Sequence, residues 1–256
     1  LDLLIVDHYS FDYRWHTKLK KLAKKIMVID DLANRKLNCD VLLDQTYGRR
    51  LEDYHHFVDK NTEMLLGVNY SLIRPEFSSM RITSVAKRKK IISIKNILVS
   101  IGGMDSTNVT LKVLIVLFRV KWPKNTTFNI VLNSAAPNIN SIKSLILKTP
   151  SEYEINLILD ANNMAELMFD ADLAVGSCGT STWERCSLGL PTIAICTAKN
   201  QKLISENLAK DGVHIPLELD QNGEIPLLFE TLCNLNENIN TLIAMSQASF
   251  NITDAK

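Results

Sequence analysis

Short apolar segments alternate with longer amphipathic segments along most of the chain. The first, residues 1–7, has the composition of a buried parallel strand. The alternation of strands and helices predicts parallel sheet covered by helices on both faces. Further strands are predicted at residues 25–29, 40–43, 64–67, 96–101, 127–132, 154–159, 173–175, 192–196 and 213–216. Helices are predicted at residues 15–25, 108–118, 138–147, 163–169, 182–188 and 201–210.

The length of 256 residues allows one large or two medium domains. A stretch rich in Lys and Arg, residues 81–95, separates the first series of strands from the second. We therefore predict that residues 1–80 form the remainder of an N-terminal domain and residues 81–256 form a C-terminal one. The basic stretch could equally be the solvated face of a helix.

Charge and hydropathy exclude several classes of protein. The 29 Lys and Arg residues nearly balance the 28 Asp and Glu residues, which argues against nucleic acid or a membrane surface as the main partner. No apolar run reaches the ~18 residues that a membrane-spanning helix needs. We expect a cytoplasmic protein whose partner is a small molecule.

The five cysteines, Cys39, Cys178, Cys186, Cys196 and Cys233, are odd in number and form no C-x-x-C pair. Most lie inside apolar segments. We interpret them as reduced thiols in or near the core, and not as disulfides or a zinc site.

The loop that begins at Gly176 carries the clearest chemical signal. Its small residues, among them Gly179 and Thr180, follow a predicted strand and open a predicted helix, so the backbone can approach a phosphate closely. Glu184 falls in the first turns of that helix, where its carboxylate could accept both hydroxyls of a ribose. The alternative is a tight turn with an ordinary Ser/Thr N-cap.

A second loop of this kind, residues 101–108, contains Gly102 and Gly103 and leads into a polar helix start. Two such loops in one domain predict a phosphorylated or nucleotide ligand, because ligands of open parallel sheets bind at the carboxyl ends of the strands. The loops match neither the Walker pattern nor G-x-G-x-x-G. A third loop, residues 197–201, holds Asn200 and Gln201, and could also be a surface loop that caps the next helix.

Asp7, His8 and Tyr9 end the first predicted strand. His8 could serve as an acid-base group, Tyr9 as a hydrogen-bond donor and Asp7 as the partner that orients them, or the three could form a structural polar cluster. His55 and His56 lack the spacing of a helical metal pair and are predicted at the surface.

Six segments together resemble a known family, the UDP-2,4-diacetamido-2,4,6-trideoxy-β-L-altropyranose hydrolases of bacterial pseudaminic acid biosynthesis. The matching segments follow the family's order from Asp7 to about Gln201. They are Asp7-His8-Tyr9, residues 30–35, residues 42–49, residues 70–77, residues 101–105 and residues 176–191.

This resemblance implies an α/β fold of two Rossmann-like domains, the N-terminal one incomplete, arranged as in glycosyltransferases of type B (GT-B) such as the lipid-linked N-acetylglucosaminyltransferase of peptidoglycan synthesis. It implies hydrolysis without metal or cofactor, in which water displaces UDP from the anomeric carbon with inversion. The free sugar, 2,4-diacetamido-2,4,6-trideoxy-L-altrose, is the other product.

The resemblance also assigns residues. Tyr9 and Asn200 become the catalytic candidates, through contact with the sugar or the attacking water. Asn108, Glu184 and Gln201 become contacts to the nucleotide sugar, with Glu184 at the ribose. The backbone N–H groups near Gly102, Gly103, Gly179 and Thr180 are assigned to the pyrophosphate.

The family's general base is a histidine in a Gly-x-Gly-His motif upstream of the segments present here. We therefore expect this chain to be a truncated form that keeps the nucleotide site, and we do not assign the missing role to His8. Two rival functions are a UDP-sugar glycosyltransferase of GT-B type and a non-catalytic UDP-sugar-binding fragment. For the oligomeric state, a monomer is favoured.

Overall fold

The computed structural model describes residues 1–149 and 152–255, which form two compact units, one up to Leu72 and one from Ile73 onward. The predicted boundary between residues 80 and 81 falls inside a helix, α2 (Pro75–Arg88), that belongs to the second unit. Residue 256, the last of the predicted C-terminal domain, lies outside the described residues.

The first unit is a parallel sheet of four strands in sequential order. Its core gathers Val6, Ile26, Val28, Leu42 and Tyr54. Its elements are β1 (Leu3–Val6), α1 (Tyr13–Leu19), β2 (Lys25–Ile29), β3 (Val41–Asp44) and β4 (Glu63–Leu66), with short 3-10 helices at Leu51–Asp53 and Val68–Tyr70.

The prediction of a fully buried first strand is wrong for one face of β1. This strand lies at the edge of the sheet and pairs with β2. Leu3 and Ile5 are 48% and 56% exposed, whereas Val6 is buried. Apolar composition alone predicts a strand but does not say which face is covered.

The second unit alternates strands and helices throughout. Its strands are β5 (Asn96–Ser100), β6 (Thr127–Leu132), β7 (Glu154–Leu159), β8 (Leu173–Ser177), β9 (Thr192–Cys196) and β10 (His214–Glu218). Its helices after α2 are α3 (Val109–Leu117), α4 (Ile139–Lys148), α5 (Met164–Asp170), α6 (Ser181–Ser187), α7 (Gln201–Lys210), α8 (Leu228–Glu237) and α9 (Ile239–Phe250).

The sheet of this unit has the order β10-β9-β8-β5-β6-β7, and all its strands are parallel. The chain leaves β5 toward one side and returns at β8 on the other, so the strand order reverses between these two neighbours. Such a reversal opens a crevice at the carboxyl ends of the two strands, where open α/β sheets bind their ligands. The two glycine loops predicted from the sequence follow these two strands.

The basic stretch begins within α2 and is only partly solvated, since Lys89 and Lys90 are exposed whereas Arg88 is buried. Arg88 is 1% exposed, and its guanidinium donates to the carbonyls of Met168, Ala171 and Leu188. Arg81 donates to the carbonyls of Ser187 and Phe250. These bonds tie α2 to the second unit.

All ten predicted strands are present, with ends that differ by a few residues. The predicted helix at residues 15–25 ends at Leu19, since Lys25 already begins β2. Besides α2, which was considered only as an alternative for the basic stretch, two helices, α8 and α9, were not predicted. Both present buried leucines, Leu232 and Leu242 among them, to the core of the second unit.

Candidate functional site

The loop after β5 is open to solvent at its glycines. Gly102 has a φ of 155° and nothing within 4 Å of the place where a Cβ would stand. Gly103 accepts a hydrogen bond from the backbone N–H of Asn133 over 2.9 Å, which anchors the loop to the end of β6. A ligand can therefore approach the backbone at Gly102 without meeting a side chain there.

The start of α3 is less available to a phosphate than the sequence indicated. The carboxylate of Asp105 accepts hydrogen bonds from the N–H groups of Val109 over 2.9 Å and Thr110 over 2.8 Å. The positive end of the α3 dipole is therefore already compensated by the Asp105 carboxylate. Asn108 has a left-handed backbone (φ 58°), and its buried Oδ1 has no partner among the described residues.

The loop after β8 packs over a buried arginine that the sequence analysis missed. Arg185 is 2% exposed and donates to the carbonyl of Ser177, to Ser181 Oγ over 3.0 Å and to Thr182 Oγ1 over 3.1 Å. A Cβ on Gly176 would stand 2.8 Å from its Nη1. A side chain at position 176 would therefore displace the guanidinium from its hydrogen bonds.

Arg185 has no carboxylate in salt-bridge contact, and its Nε has no acceptor, within the part of the chain that the structure describes. Burial lowers the pKa of the guanidinium, although nearby thiols and Glu184 partly oppose the shift. Burying an uncompensated cation is costly, and an anion bound nearby would offset that cost. The available sequence signal was a basic residue in the loop and helix from Gly176 to Pro191, where Glu184 is the other charged residue.

Glu184 lies in the first turn of α6, as predicted, with its side chain 16% exposed. Its Oε1 accepts a hydrogen bond from Arg74 Nε over 3.0 Å. Arg74 stands over the ring of Phe77 and also contacts Glu76. The carboxylate is therefore held in place by a residue that the sequence analysis listed only within a motif.

The loop after β9 approaches the loop after β8. Gln201 Nε2 lies 4.0 Å from the Cβ position of Gly179, while Gln201 Oε1 accepts a hydrogen bond from Thr197 N–H over 3.0 Å. Asn200 is the N-cap of α7 and is half-buried. Thr180 is exposed. Because β5, β8 and β9 are neighbours, the predicted binding residues of this unit gather at one edge of the sheet.

Tyr9 belongs to the first unit, where its hydroxyl donates to Asp31 Oδ1 over 2.8 Å. Partial burial, followed by this hydrogen bond, raises the pKa of Tyr9 to about 12. The prediction that Asp7 orients this group is wrong, because Asp31 at the end of β2 takes that role. His8 accepts a hydrogen bond from Ser10 N–H and stacks on Phe11.

A buried ionic network lies at the carboxyl ends of β2 and β3. Arg35 pairs with Asp30, and Arg49 pairs with Asp44, each over 2.5 Å. Tyr54, fully buried, contacts both carboxylates. The paired residues belong to two motifs named in the sequence analysis, residues 30–35 and residues 42–49. In this structure these motifs have a structural role.

His55 and His56 are exposed, as predicted. Cys178 is a buried free thiol just after β8, which agrees with its interpretation as a reduced thiol in or near the core. None of the helices in the described residues is long and apolar enough to cross a membrane.

Two parallel-sheet α/β units, the second with its glycine loops where the strand order reverses, define the GT-B class of fold. Solved structures confirm this class. The chain is 16% identical to MurG of Acinetobacter baumannii, with a TM-score of 0.61 over 94% of this chain and 73% of that one. It is 14% identical to WaaG, a glycosyltransferase of lipopolysaccharide biosynthesis, with a TM-score of 0.58 over 93% of this chain and 76% of that one.

Curated relatives confirm the more specific resemblance drawn from the motifs. The chain is 29% identical to the UDP-2,4-diacetamido-2,4,6-trideoxy-β-L-altropyranose hydrolase of Campylobacter jejuni, over 84% of this chain and 73% of that protein. It is 26% identical to the spore coat polysaccharide biosynthesis protein SpsG of Bacillus subtilis, over 86% of this chain and 63% of that one.

The chain is also 28% identical to the uncharacterized protein MJ1062 of Methanocaldococcus jannaschii, over 76% of this chain and 40% of that protein. It therefore spans less than two thirds of the length of this relative and of SpsG. No protein-family model matches the sequence.

Proposed function

We propose that the second unit binds a UDP-sugar and that the chain is part of an enzyme that hydrolyses UDP-2,4-diacetamido-2,4,6-trideoxy-β-L-altropyranose. The supporting observation is the pair of glycine loops at the strand-order reversal, with Glu184 beside one of them. The similarity to the Campylobacter jejuni hydrolase selects this nucleotide sugar among those that a GT-B fold can bind.

In this proposal the diphosphate lies over Gly102, Gly103, Gly179 and Thr180, and the ribose diol donates to Glu184. Asn108 and Gln201 complete the contacts to the nucleotide sugar. The buried charge of Arg185 beneath the loop after β8 favours a dianionic ligand over a neutral one. It also stabilises UDP as negative charge develops on the departing phosphate.

Water then attacks the anomeric carbon, and the bond from that carbon to the UDP oxygen breaks with inversion. Tyr9 keeps its proton at neutral pH, because its pKa is raised to about 12. That proton is donated to Asp31, so the Tyr9 oxygen is left to accept a hydrogen bond from sugar or water, and Tyr9 does not act as the base. Asn200 offers a neutral amide for the same purpose, and the family resemblance assigns the base to the upstream Gly-x-Gly-His motif.

Calorimetric titration of the chain with UDP tests the binding half of the proposal, with CMP and NAD as controls. Selective binding of UDP supports it, whereas a folded chain that binds none of the three contradicts it. Adding the upstream segment and measuring UDP release from the proposed substrate tests the hydrolytic half.

A glycosyltransferase remains the second candidate, because MurG and WaaG share the fold. It would release UDP only when an acceptor is added. UDP release to water alone by the extended protein favours the hydrolase. A non-catalytic binding fragment would bind UDP and stay inactive after the upstream segment is added.

A further inference from the structure

Two cysteines stand next to each other where β8 and β9 end. The parallel register pairs Ser177 with Ile195, so Cys178 and Cys196 are the next residues opposite each other. Strands of a sheet lie ~5 Å apart, within the Cα separation of ~4.4–6.8 Å that a disulfide requires. The two side chains are in hydrogen-bond contact, and both are free thiols.

The surroundings of the two sulfurs differ. Cys178 is fully buried, whereas Cys196 is half-buried and reachable from solvent. The hydroxyl of Ser205 contacts both thiols and lies 3.4 Å from His214 Nε2. The charged groups that face Cys196 are Lys202 and Glu218, which pair with each other over 3.6 Å.

These contacts place the negative charge on Cys196. Hydrogen bonding from the Cys178 thiol is the main reason that the pKa of Cys196 is lowered, with burial opposing it and Ser205 assisting. Glu218 raises this pKa and Lys202 lowers it. The pKa of Cys178 is raised because its thiol donates to Cys196 and is buried. A solvent-accessible thiolate beside a second thiol is the arrangement of a reactive and a resolving cysteine.

We propose that Cys196 and Cys178 form a thiol modification site that reacts with small disulfides of the glutathione type. The Cys196 thiolate attacks one sulfur of the small disulfide, forming a mixed disulfide and releasing one small thiolate. Cys178 then loses its proton and attacks Cys196 Sγ, which closes the internal disulfide and releases the second small thiolate. Two protein thiols are oxidised, and one small disulfide is reduced to two thiols.

The other cysteines are worse candidates for this reaction. Cys39 and Cys186 are 3% exposed, and burial raises the pKa of each to about 12. Cys233 is half-buried on α8 and therefore serves as a comparison of accessibility. The inference does not depend on the proposed function, because its test uses no nucleotide.

The experiment is to treat the reduced 256-residue chain with oxidised glutathione and to record its intact mass over time. We expect the loss of two hydrogens with no glutathione retained. At pH 6 Cys196 should react faster than N-acetylcysteine, because a thiolate of lowered pKa persists there despite its weaker nucleophilicity. Trypsin then yields the peptide of residues 149–185 joined to that of residues 186–199.

Variants identify the sulfurs. Cys178→Ser should accumulate one stable glutathione adduct on Cys196, and Cys196→Ser should form neither the adduct nor the cross-link. Cys186→Ser and Cys233→Ser should react as the unaltered chain does. Because the peptide of residues 186–199 contains both Cys186 and Cys196, a cross-link that forms in Cys186→Ser shows that Cys186 is not the linked residue. The proposal is overturned by a stable adduct without cross-link in the unaltered chain, by a cross-link that persists in Cys196→Ser, or by no reaction. Circular dichroism confirms that each variant is folded, and the peptide map of the unaltered chain tests the pairing without any substitution.

Discussion

Arg74 Nε donates a hydrogen bond to Glu184 Oε1 over 3.0 Å, which joins residues 110 positions apart. Arg74 lies just before α2, and Glu184 lies in the first turn of α6. The bond occupies one carboxylate oxygen and fixes the direction of the other. In the proposed site this arrangement prepares Glu184 for the two hydroxyls of a ribose before the ligand arrives, which reduces the entropy lost on binding.

Replacing Glu184 with alanine should weaken UDP binding by ~1–3 kcal/mol, the cost of removing charge-assisted hydrogen bonds, or about 5-fold to 150-fold in Kd. Calorimetry measures this. The preference of the unaltered chain for UDP over 2′-deoxy-UDP should disappear in the variant, because the lost contact is to the diol.

Glu230→Ala is the matched control, since Glu230 also lies in the first turn of a helix in the second unit but is exposed on α8. Its UDP affinity should equal that of the unaltered chain. An unchanged Kd in Glu184→Ala would remove Glu184 from the site.

Arg74→Ala should weaken UDP binding through Glu184. The guanidinium is 44% exposed, so the loss of folding stability should stay below about 1 kcal/mol. A double-mutant cycle distinguishes an effect through Glu184 from a direct contact of Arg74 with the ligand. If Arg74 acts through Glu184, the variant lacking both side chains should bind UDP about as well as Glu184→Ala alone. Additive losses would mean that Arg74 contacts the ligand independently. Arg119→Ala is the control, since Arg119 is exposed and stands over Phe229 as Arg74 stands over Phe77.

Arg185→Met should weaken UDP binding more than uridine binding, by on the order of 1–2 kcal/mol, because a buried charge acts on phosphate over several ångströms. Arg185→Lys keeps the charge and should recover part of the difference. Titrations with UDP, UMP and uridine measure it. Equal losses for all three ligands would show that Arg185 acts only by shaping the loop.

The sequence predicted well those features that depend on neighbouring residues. The distance from Gly176 to Glu184 placed the carboxylate in the first turn of α6, and the predicted helix at residues 182–188 agrees with α6 to within one residue at each end. The capping of α3 by the Asp105 side chain depends on neighbouring residues too, and it could have been predicted from the sequence but was not.

Contacts between distant segments could not be predicted in this way. Asp31 meets Tyr9 only because β1 and β2 are neighbours in the sheet, and Arg74 meets Glu184 only because α2 packs with α6. Burial was also hidden, since Arg88 and Arg185 have the composition of surface residues and are enclosed by elements far away in sequence.

Gly189→Ala should destabilise the second unit strongly. Gly189 has a φ of 56°, and an added Cβ would lie 2.3 Å from the ring of Phe250. The left-handed backbone costs about 1–2 kcal/mol with a Cβ, and the overlap adds ~1–3 kcal/mol. Gly212→Ala is the control, because Gly212 has a φ of 70° but open space around it and should bear only the backbone cost. Urea denaturation measures both, and equal losses would contradict the role of Phe250.

The free energy of unfolding should fall as pH is lowered from 7.5 to 5, because His214 is buried in its neutral form. Burial lowers its pKa from 6.5 to about 4. Below pH 6.5 His214 binds a proton in the unfolded chain but stays neutral in the folded chain. The stability present above that pH is therefore lost progressively toward pH 4. At pH 5 the loss from this group is on the order of 1–2 kcal/mol.

His16 contributes in the same direction, since burial lowers its pKa too. His214→Gln should therefore flatten the pH dependence without abolishing it. Denaturant titrations at pH 7.5, 6.5, 5.5 and 5 measure the slope, and a slope unchanged by the substitution would show that His214 takes up its proton in the folded state.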